Sequence, residues 1–195
     1  IVINPNHPEC NYSFKKISGC AVALKLVMAL RKSLRKQGWW TSARPEPNLR
    51  NSLDLAALGT VADLVFLDQN NRRMVQAGLR LIRSGKGNTG ILALLSIAGR
   101  DLTTLSTEDL AYSVAPQLNA AGRMSNMSQG IECLLATDEA TSMNRARKLF
   151  ELNNQRKLVE RNMQDEALQI VGEIVNQKKQ QELPDGFCLY KEDWH

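Results

Sequence analysis

The chain predicts a predominantly helical α/β fold, with a strand near each end and a long helix on its C-terminal side. Three observations predict it. A β-branched run, Ile1-Val2-Ile3, opens the sequence, and Gly186-Phe187-Cys188-Leu189-Tyr190 comes close to ending it. Between them, apolar residues recur at three- and four-residue spacing. From Asp138 onward a single stripe of Leu149, Leu152, Val159, Met163, Ala167, Ile170 and Ile174 continues for many turns.

Taken in order, Asn4-Pro5-Asn6-His7-Pro8 is turn chemistry. His7, inside it, reads as a surface or hydrogen-bonding histidine rather than a ligand, and His195 is terminal. A helix is expected from about Ser18, with Ala21, Leu24, Val27, Met28 and Leu34 on its apolar face. Its basic end, Arg31, Lys32, Arg35 and Lys36, complements the helix dipole before Gly38 stops it. Residues 39–51, with Pro45 and Pro47, read as a linker or insertion.

Ser52-Leu53-Asp54 opens a short helix followed by a Gly59-Thr60 break and Val61-Ala62-Asp63-Leu64-Val65. Asp63 is a lone carboxylate in an apolar run. Burying it requires a cation, a hydrogen-bond network or water, and carboxylate oxygens suit Mg²⁺ and Mn²⁺. Alternatively Asp63 caps a helix or faces solvent. Helices are expected next from Asn70-Asn71-Arg72 through Ile82, and from Ile91 through Ile97 after the Gly85–Asn88 turn. A short helical piece capped by Thr107-Glu108-Asp109 comes next.

Val114-Ala115-Pro116-Gln117-Leu118-Asn119-Ala120-Ala121-Gly122-Arg123-Met124 is the second segment with chemistry in it. Its small residues permit close backbone approach. Asn119 and Arg123 are donors, and Arg123 can grip a phosphate in a bidentate fork or simply pair with a surface acid. The polar face of the long helix carries Arg145, Lys148, Arg156, Lys157 and Arg161, with Glu160 and Glu166. That pattern fits a DNA track or an ordinary solvated face. Gln177 to Gln181 is a polar ending, and Pro184-Asp185-Gly186 is a turn.

Composition bounds the partners. With 25 Lys and Arg against 20 Asp and Glu, net charge is +5, which suits nucleic acid without requiring it. Aromatics are 5%, so contact with nucleic acid is expected mainly through phosphates. Cys10, Cys20, Cys133 and Cys188 form no Cys-x-x-Cys pair and read as reduced, mostly buried thiols of a cytoplasmic protein. No apolar run approaches the ~18 residues of a spanning helix, and no signal-peptide layout is present. A chain that opens and closes in strands, without an initiator Met, is expected to be an excerpt of a larger protein.

Ala57-Leu58-Gly59-Thr60-Val61-Ala62-Asp63 together with Leu118-Asn119-Ala120-Ala121-Gly122-Arg123 resembles the RecJ family, within the DHH phosphoesterase superfamily. Ile3-Asn4-Pro5-Asn6, Asn71-Arg72, Leu152-Asn153 with Arg156, and Leu189 to His195 extend the resemblance over nearly the whole chain, in order. It implies a Mn²⁺- or Mg²⁺-dependent exonuclease that degrades single-stranded DNA from its 5′ end in recombination and repair, with two ions acting on water and phosphoryl group. It makes Asp63 a metal ligand and assigns Arg123 and Asn119 to phosphate binding.

The implied organisation is the C-terminal part of a DHH-type parallel-sheet domain at 1–136, a connecting helix at 137–181 and the start of the DHH-associated domain at 182–195. The Asp-His-His sequence, an upstream Asp-x-Asp and the Gly-rich C-terminal motif are all absent from these residues. One carboxylate cannot hold two ions, so these residues alone are expected to be inactive. Repair or replication proteins are further expected partners. Self-association is expected through an apolar surface and sheet edge where upstream strands would pack. Alternatives are a DHH-family phosphodiesterase of short oligonucleotides or small nucleotides, and a non-catalytic replication scaffold. The long helix argues against the first and the retained Asp63 against the second.

Overall fold

The computed structural model describes residues 2–177, 185–192 and 194. Its helices are α1 (Gly19–Lys36), α2 (Leu53–Ala62), α3 (Gln69–Arg83), α4 (Thr89–Ile97), the single turn α5 (Thr107–Asp109), α6 (Ala115–Met124), α7 (Ser128–Leu135) and α8 (Glu139–Gln177). A 3₁₀ turn at Leu49–Ser52 leads into α2, and a π-helical turn at Leu110–Val114 joins α5 to α6.

Local chemistry explains most helix starts. Ser18 accepts from the Ala21 amide at 3.2 Å, Asp68 from those of Asn70 and Asn71 at 2.9 Å, and Asn88 from those of Gly90 and Ile91. Ser106 and Asp109 form a reciprocal capping box. These hydrogen bonds hold the Asp109 carboxyl below its ordinary range.

The π-turn has a cause in sequence. Pro116 has no amide hydrogen to offer the Tyr112 carbonyl, and its ring crowds the preceding turn. The helix widens there, and the Ala115 amide bonds to Leu110 O instead.

The core lies between α2, α3, α4, α6, the π-turn and the first turns of α8. Ile82, Ile91, Leu94, Leu95, Leu105, Leu110, Leu149 and Val114 are its largest apolar members, all fully buried. The helices approach closely because glycines face their neighbours. A Cβ on Gly78 of α3 would collide with Ala57 and the Leu53 carbonyl of α2, and one on Gly90 with the Cys133 carbonyl of α7. Helix α8 buries Ser142, Ala146, Leu149 and Asn153, which fall on one face of its first four turns. The expected stripe from Val159 to Ile174 continues half-buried. The chain end folds back on it, where Trp194 Nε1 donates to Glu166 at 3.0 Å.

Several expectations are corrected. Among the described residues there is no strand, and the one pairing is an isolated bridge between Thr41 and Arg44. Ile1 lies outside the described residues, while Val2 is 90% exposed and Tyr190 84% exposed. A β-branched run becomes a strand only when another strand satisfies its amides and carbonyls, and neither segment meets one here.

Gly59-Thr60 does not break α2 but lies within it, with Thr60 buried and donating to Ala56 O at 2.7 Å. Val27 and Met28 of α1 are exposed rather than buried, as are Leu26 and Leu30, because α1 packs mainly onto α2 and buries only Ala21. Of the thiols expected to be mostly buried, Cys133 is buried and Cys10 partly so, while Cys20 and Cys188 are exposed. The 39–51 segment is tied down: Glu46 pairs with Arg31 at 3.4 Å and with Arg35, and Arg31 also bonds Pro47 O. Helix α7 had no sequence expectation. The 178–184 part of the polar ending, and His195, lie outside the described residues. No described helix is long and apolar enough to cross a membrane.

Candidate functional site

Asp63 is the C-cap of α2, and it is exposed. The buried carboxylate of this segment is Asp54, fully enclosed at the start of α2, where it accepts from the amides of Leu55 and Asn88. The cost of an enclosed charge therefore falls on Asp54, which is satisfied by protein donors. No such cost attaches to Asp63, so its presence cannot be argued from burial.

The backbone just beyond Asp63 is unusual. Leu64 adopts a left-handed conformation, φ +51°, and is 79% exposed. Its amide bonds to Val61 O at 3.1 Å and that of Val65 to Thr60 O at 3.2 Å. These are the two bonds of a Schellman stop, with leucine where glycine is usual. The loop beyond is held by Asn71, 3% exposed, whose amide group donates to Phe66 O at 2.9 Å and to Lys16 O at 2.7 Å. The Lys16 ammonium lies 4.4 Å from the Phe66 ring centre.

Two clefts flank the end of α2. The first, about 380 Å³, has an almost wholly apolar wall that includes Leu55, Ala62, Leu118, Ile131 and Leu135, with Asn119 also lining it. It joins the end of α2 to α6. The Cys20 thiol opens into it, raised above its ordinary pKa first by burial and then by the charges of Asp63 and Asp54. Cys20 sits there because Gly59 admits α1: a Cβ at Gly59 would stand 2.6 Å from Cys20 Cβ. The second cleft, about 240 Å³, lies between the end of α2 and the π-turn, with Leu64, Val65, Leu67, Glu108 and Tyr112 among its lining.

Asn119 and Arg123 are four residues apart on α6, so they share a face, and both are exposed. Neither has a hydrogen-bond or ion-pair partner among the described residues. Of the small residues around them, Ala120 and Ala121 are fully buried, whereas Gly122 is exposed and meets Met127. The structure thus brings Asn119 into one cleft with Ala62, the neighbour of Asp63. On the polar face of α8, Arg156 is committed to Asn153 and Glu160, and Arg145 to Glu132.

As a metal site the arrangement is incomplete. Asp63 offers the hard oxygen that Mn²⁺ or Mg²⁺ prefers, but no three His, Cys, Asp or Glu side chains converge among the described residues. These residues can supply one ligand and do not form a metal centre by themselves. Sequence reasoning missed Tyr112 and, although the resemblance named Asn71, missed the bond that Asn71 makes to Lys16. Pro116 was the available signal for the first; the contact of Asn71 with Lys16, 55 residues away, left none.

No family model matches the chain. Across all 195 residues it is 44% identical to the single-stranded-DNA-specific exonuclease RecJ of Dickeya dadantii and 43% identical to that of Escherichia coli, covering 34% and 33% of them. The Bacillus subtilis RecJ is 32% identical over 170 residues, which are 87% of this chain and 20% of that protein. Among solved structures, RecJ from Thermus thermophilus in complex with Mg²⁺ aligns with TM-score 0.64 and 29% identity, over 80% of this chain and 23% of that one. The exonuclease RecJ bound to manganese aligns with TM-score 0.66 and 30% identity, over 80% and 37%. The chain spans about a third of the length of the first two curated relatives. Sequence likeness over every residue and likeness of fold agree: the chain belongs to the RecJ family.

Proposed function

We propose that the chain is part of a metal-dependent exonuclease that hydrolyses phosphodiester bonds of single-stranded DNA from the 5′ end, in recombination and repair in the cytoplasm. Residues 1–136 then form the C-terminal portion of its DHH catalytic domain, whose parallel sheet is built by other residues. Residues 137–181 are the connecting helix and 182–195 the start of the DHH-associated domain. Asp63 gives one ligand to a pair of Mn²⁺ or Mg²⁺ ions, which supply charge stabilisation and an activated water. Arg123 and Asn119 hold DNA phosphate.

The observation that carries this reading is the cleft in which Ala62, directly before Asp63, and Asn119 meet, at the exposed end of α2. An exposed carboxylate one residue beyond a cleft that Asn119 lines suits a site completed by other groups, with Arg123 one helical turn further along α6 and outside that cleft. The exposed apolar residues of α1 and α7, among them Leu26, Leu30, Ile131 and Leu135, are the surfaces for the rest of the domain, and repair or replication proteins and self-association are expected there too.

The test is Mn²⁺-dependent degradation of a 5′-labelled single strand by the full-length protein. Asp63→Asn is expected to lower the rate by about a hundredfold or more. Arg123→Ala is expected to weaken binding and reduce its salt dependence by about one phosphate contact. Residues 1–195 alone are expected to show no activity. Full activity in Asp63→Asn would sink the metal assignment.

A further inference from the structure

We propose that the cleft between Leu64 and Tyr112 is a base-stacking subsite for single-stranded DNA, with Arg72 at its rim as the phosphate contact. The proposal rests on the exonuclease reading above. It adds a place where a base is held, whereas that reading assigned only phosphate and metal contacts.

Tyr112 is 75% exposed although Leu110 and Val114, two residues to either side, are fully buried. The π-turn forced by Pro116 sets it at the surface, and its hydroxyl has no hydrogen bond among the described residues. π-turns of this kind are frequently found at functional sites. Leu64 faces the same cleft, 79% exposed in a left-handed conformation that costs a leucine steric energy. Glycine would make the same helix stop without strain, so the leucine side chain is maintained at a cost that its own packing does not repay.

The chemistry of the walls selects the occupant. A nucleobase has two apolar faces and a polar edge, and an exposed tyrosine opposite an aliphatic side chain offers surfaces for those faces. The cleft, about 240 Å³, is smaller than the ~300–1,000 Å³ usual for small-molecule pockets and suits one ring system rather than a whole cofactor. Bases in a duplex are already stacked on one another, so only a single strand can offer one.

A cation stands at the right edge. Arg72 is exposed, and its Nε donates to the carbonyl of Leu67, a lining residue, at 2.7 Å. That ties the guanidinium to a residue of the cleft wall and leaves its other donors without a partner among the described residues. Glu108 lines the opposite, α5 side, so the phosphate backbone is steered to the Arg72 side. Asp63 adjoins Leu64 in the chain, which sets a stacked base next to the proposed metal ligand.

The experiment measures binding by the full-length protein, without divalent metal, of a fluorescein-labelled oligothymidylate and of an abasic strand of equal length. Tyr112→Ala is expected to weaken the oligothymidylate about tenfold while leaving the abasic strand and the melting temperature unchanged, and Tyr112→Phe to bind as the parent does. Arg72→Ala is expected to weaken both strands alike and flatten the salt dependence. Equal binding of oligothymidylate by Tyr112→Ala and the parent overturns the proposal, as does a drop of several degrees in melting temperature, which would mean that Tyr112 packs against another part of the protein. If the parent binds neither strand, the exonuclease reading fails as well; binding without dependence on Tyr112 defeats the stacking subsite alone.

Discussion

The side-chain amide of Asn71 joins two stretches of chain that the sequence separates widely, donating at 2.7 Å to the carbonyl of Lys16 and at 2.9 Å to that of Phe66. It thereby fixes the segment entering α1 to the loop that leaves Asp63. Replacing Asn71 with Ala removes both donors and leaves two carbonyls without them. A loss of about 2 kcal/mol is expected in urea denaturation, and no loss would show that the loop is held by other contacts.

Leu64 predicts a gain. Its φ of +51° at the end of α2 is the conformation that glycine adopts freely. Leu64→Gly is expected to raise stability by about 1 kcal/mol, read as a higher denaturation midpoint with unchanged slope. If Leu64 also serves as a wall for a base, the same variant binds single-stranded DNA more weakly, so stability and binding move in opposite directions.

The α2–α3 contact should tolerate no added carbon. A methyl at Gly78 meets the Leu53 carbonyl, which is backbone and cannot swing aside. Gly78→Ala is expected to cost about 1–3 kcal/mol despite the better helix propensity of alanine. Gly122, whose added Cβ would find its nearest neighbour, Met127 Sδ, at 3.6 Å, is the control, and Gly122→Ala is expected to be neutral or mildly stabilising.

Cys133 gives a pH dependence. Burial pushes its thiol up to about 11 from 9.0, partly offset by the charge of Arg145. The folded form therefore keeps its proton in a range where the unfolded chain has lost it. Stability from this group is fully present below pH 9, declines as pH rises and is gone above about 11. Denaturation midpoints measured from pH 8 to 11 should fall, and Cys133→Ala should flatten that part of the fall. At pH 8 the exposed Cys20 and Cys188 are expected to react with a thiol reagent while Cys133 reacts only on unfolding.

The elements most legible in sequence are those decided within one turn. Ser18, where a helix was expected to begin, caps α1 through the amide of Ala21, and a local motif carries that information complete. The family resemblance was legible for a related reason: Gly59 to Asp63 and Leu118 to Arg123 are contiguous runs that can be read whole. The segments at residues 2–4 and 186–190 were misread as strands because a strand is a pairing and not a property of a segment.

Burial was decided by packing. Asp54 and Asp63 look alike in an apolar run. The helix begins at Leu53 and ends at Ala62, so one carboxylate is enclosed beside Asn88 while the other emerges beyond the last turn. The helices α1, α3, α4 and α8 and the family resemblance were legible from the order of residues alone, because those depend on neighbours along the chain, whereas α7 and the unbroken course of α2 were not. Which carboxylate meets solvent, that Gly59 admits Cys20 and that Asn71 holds Lys16 depend on packing between residues tens of positions apart, and only the folded chain brings those together.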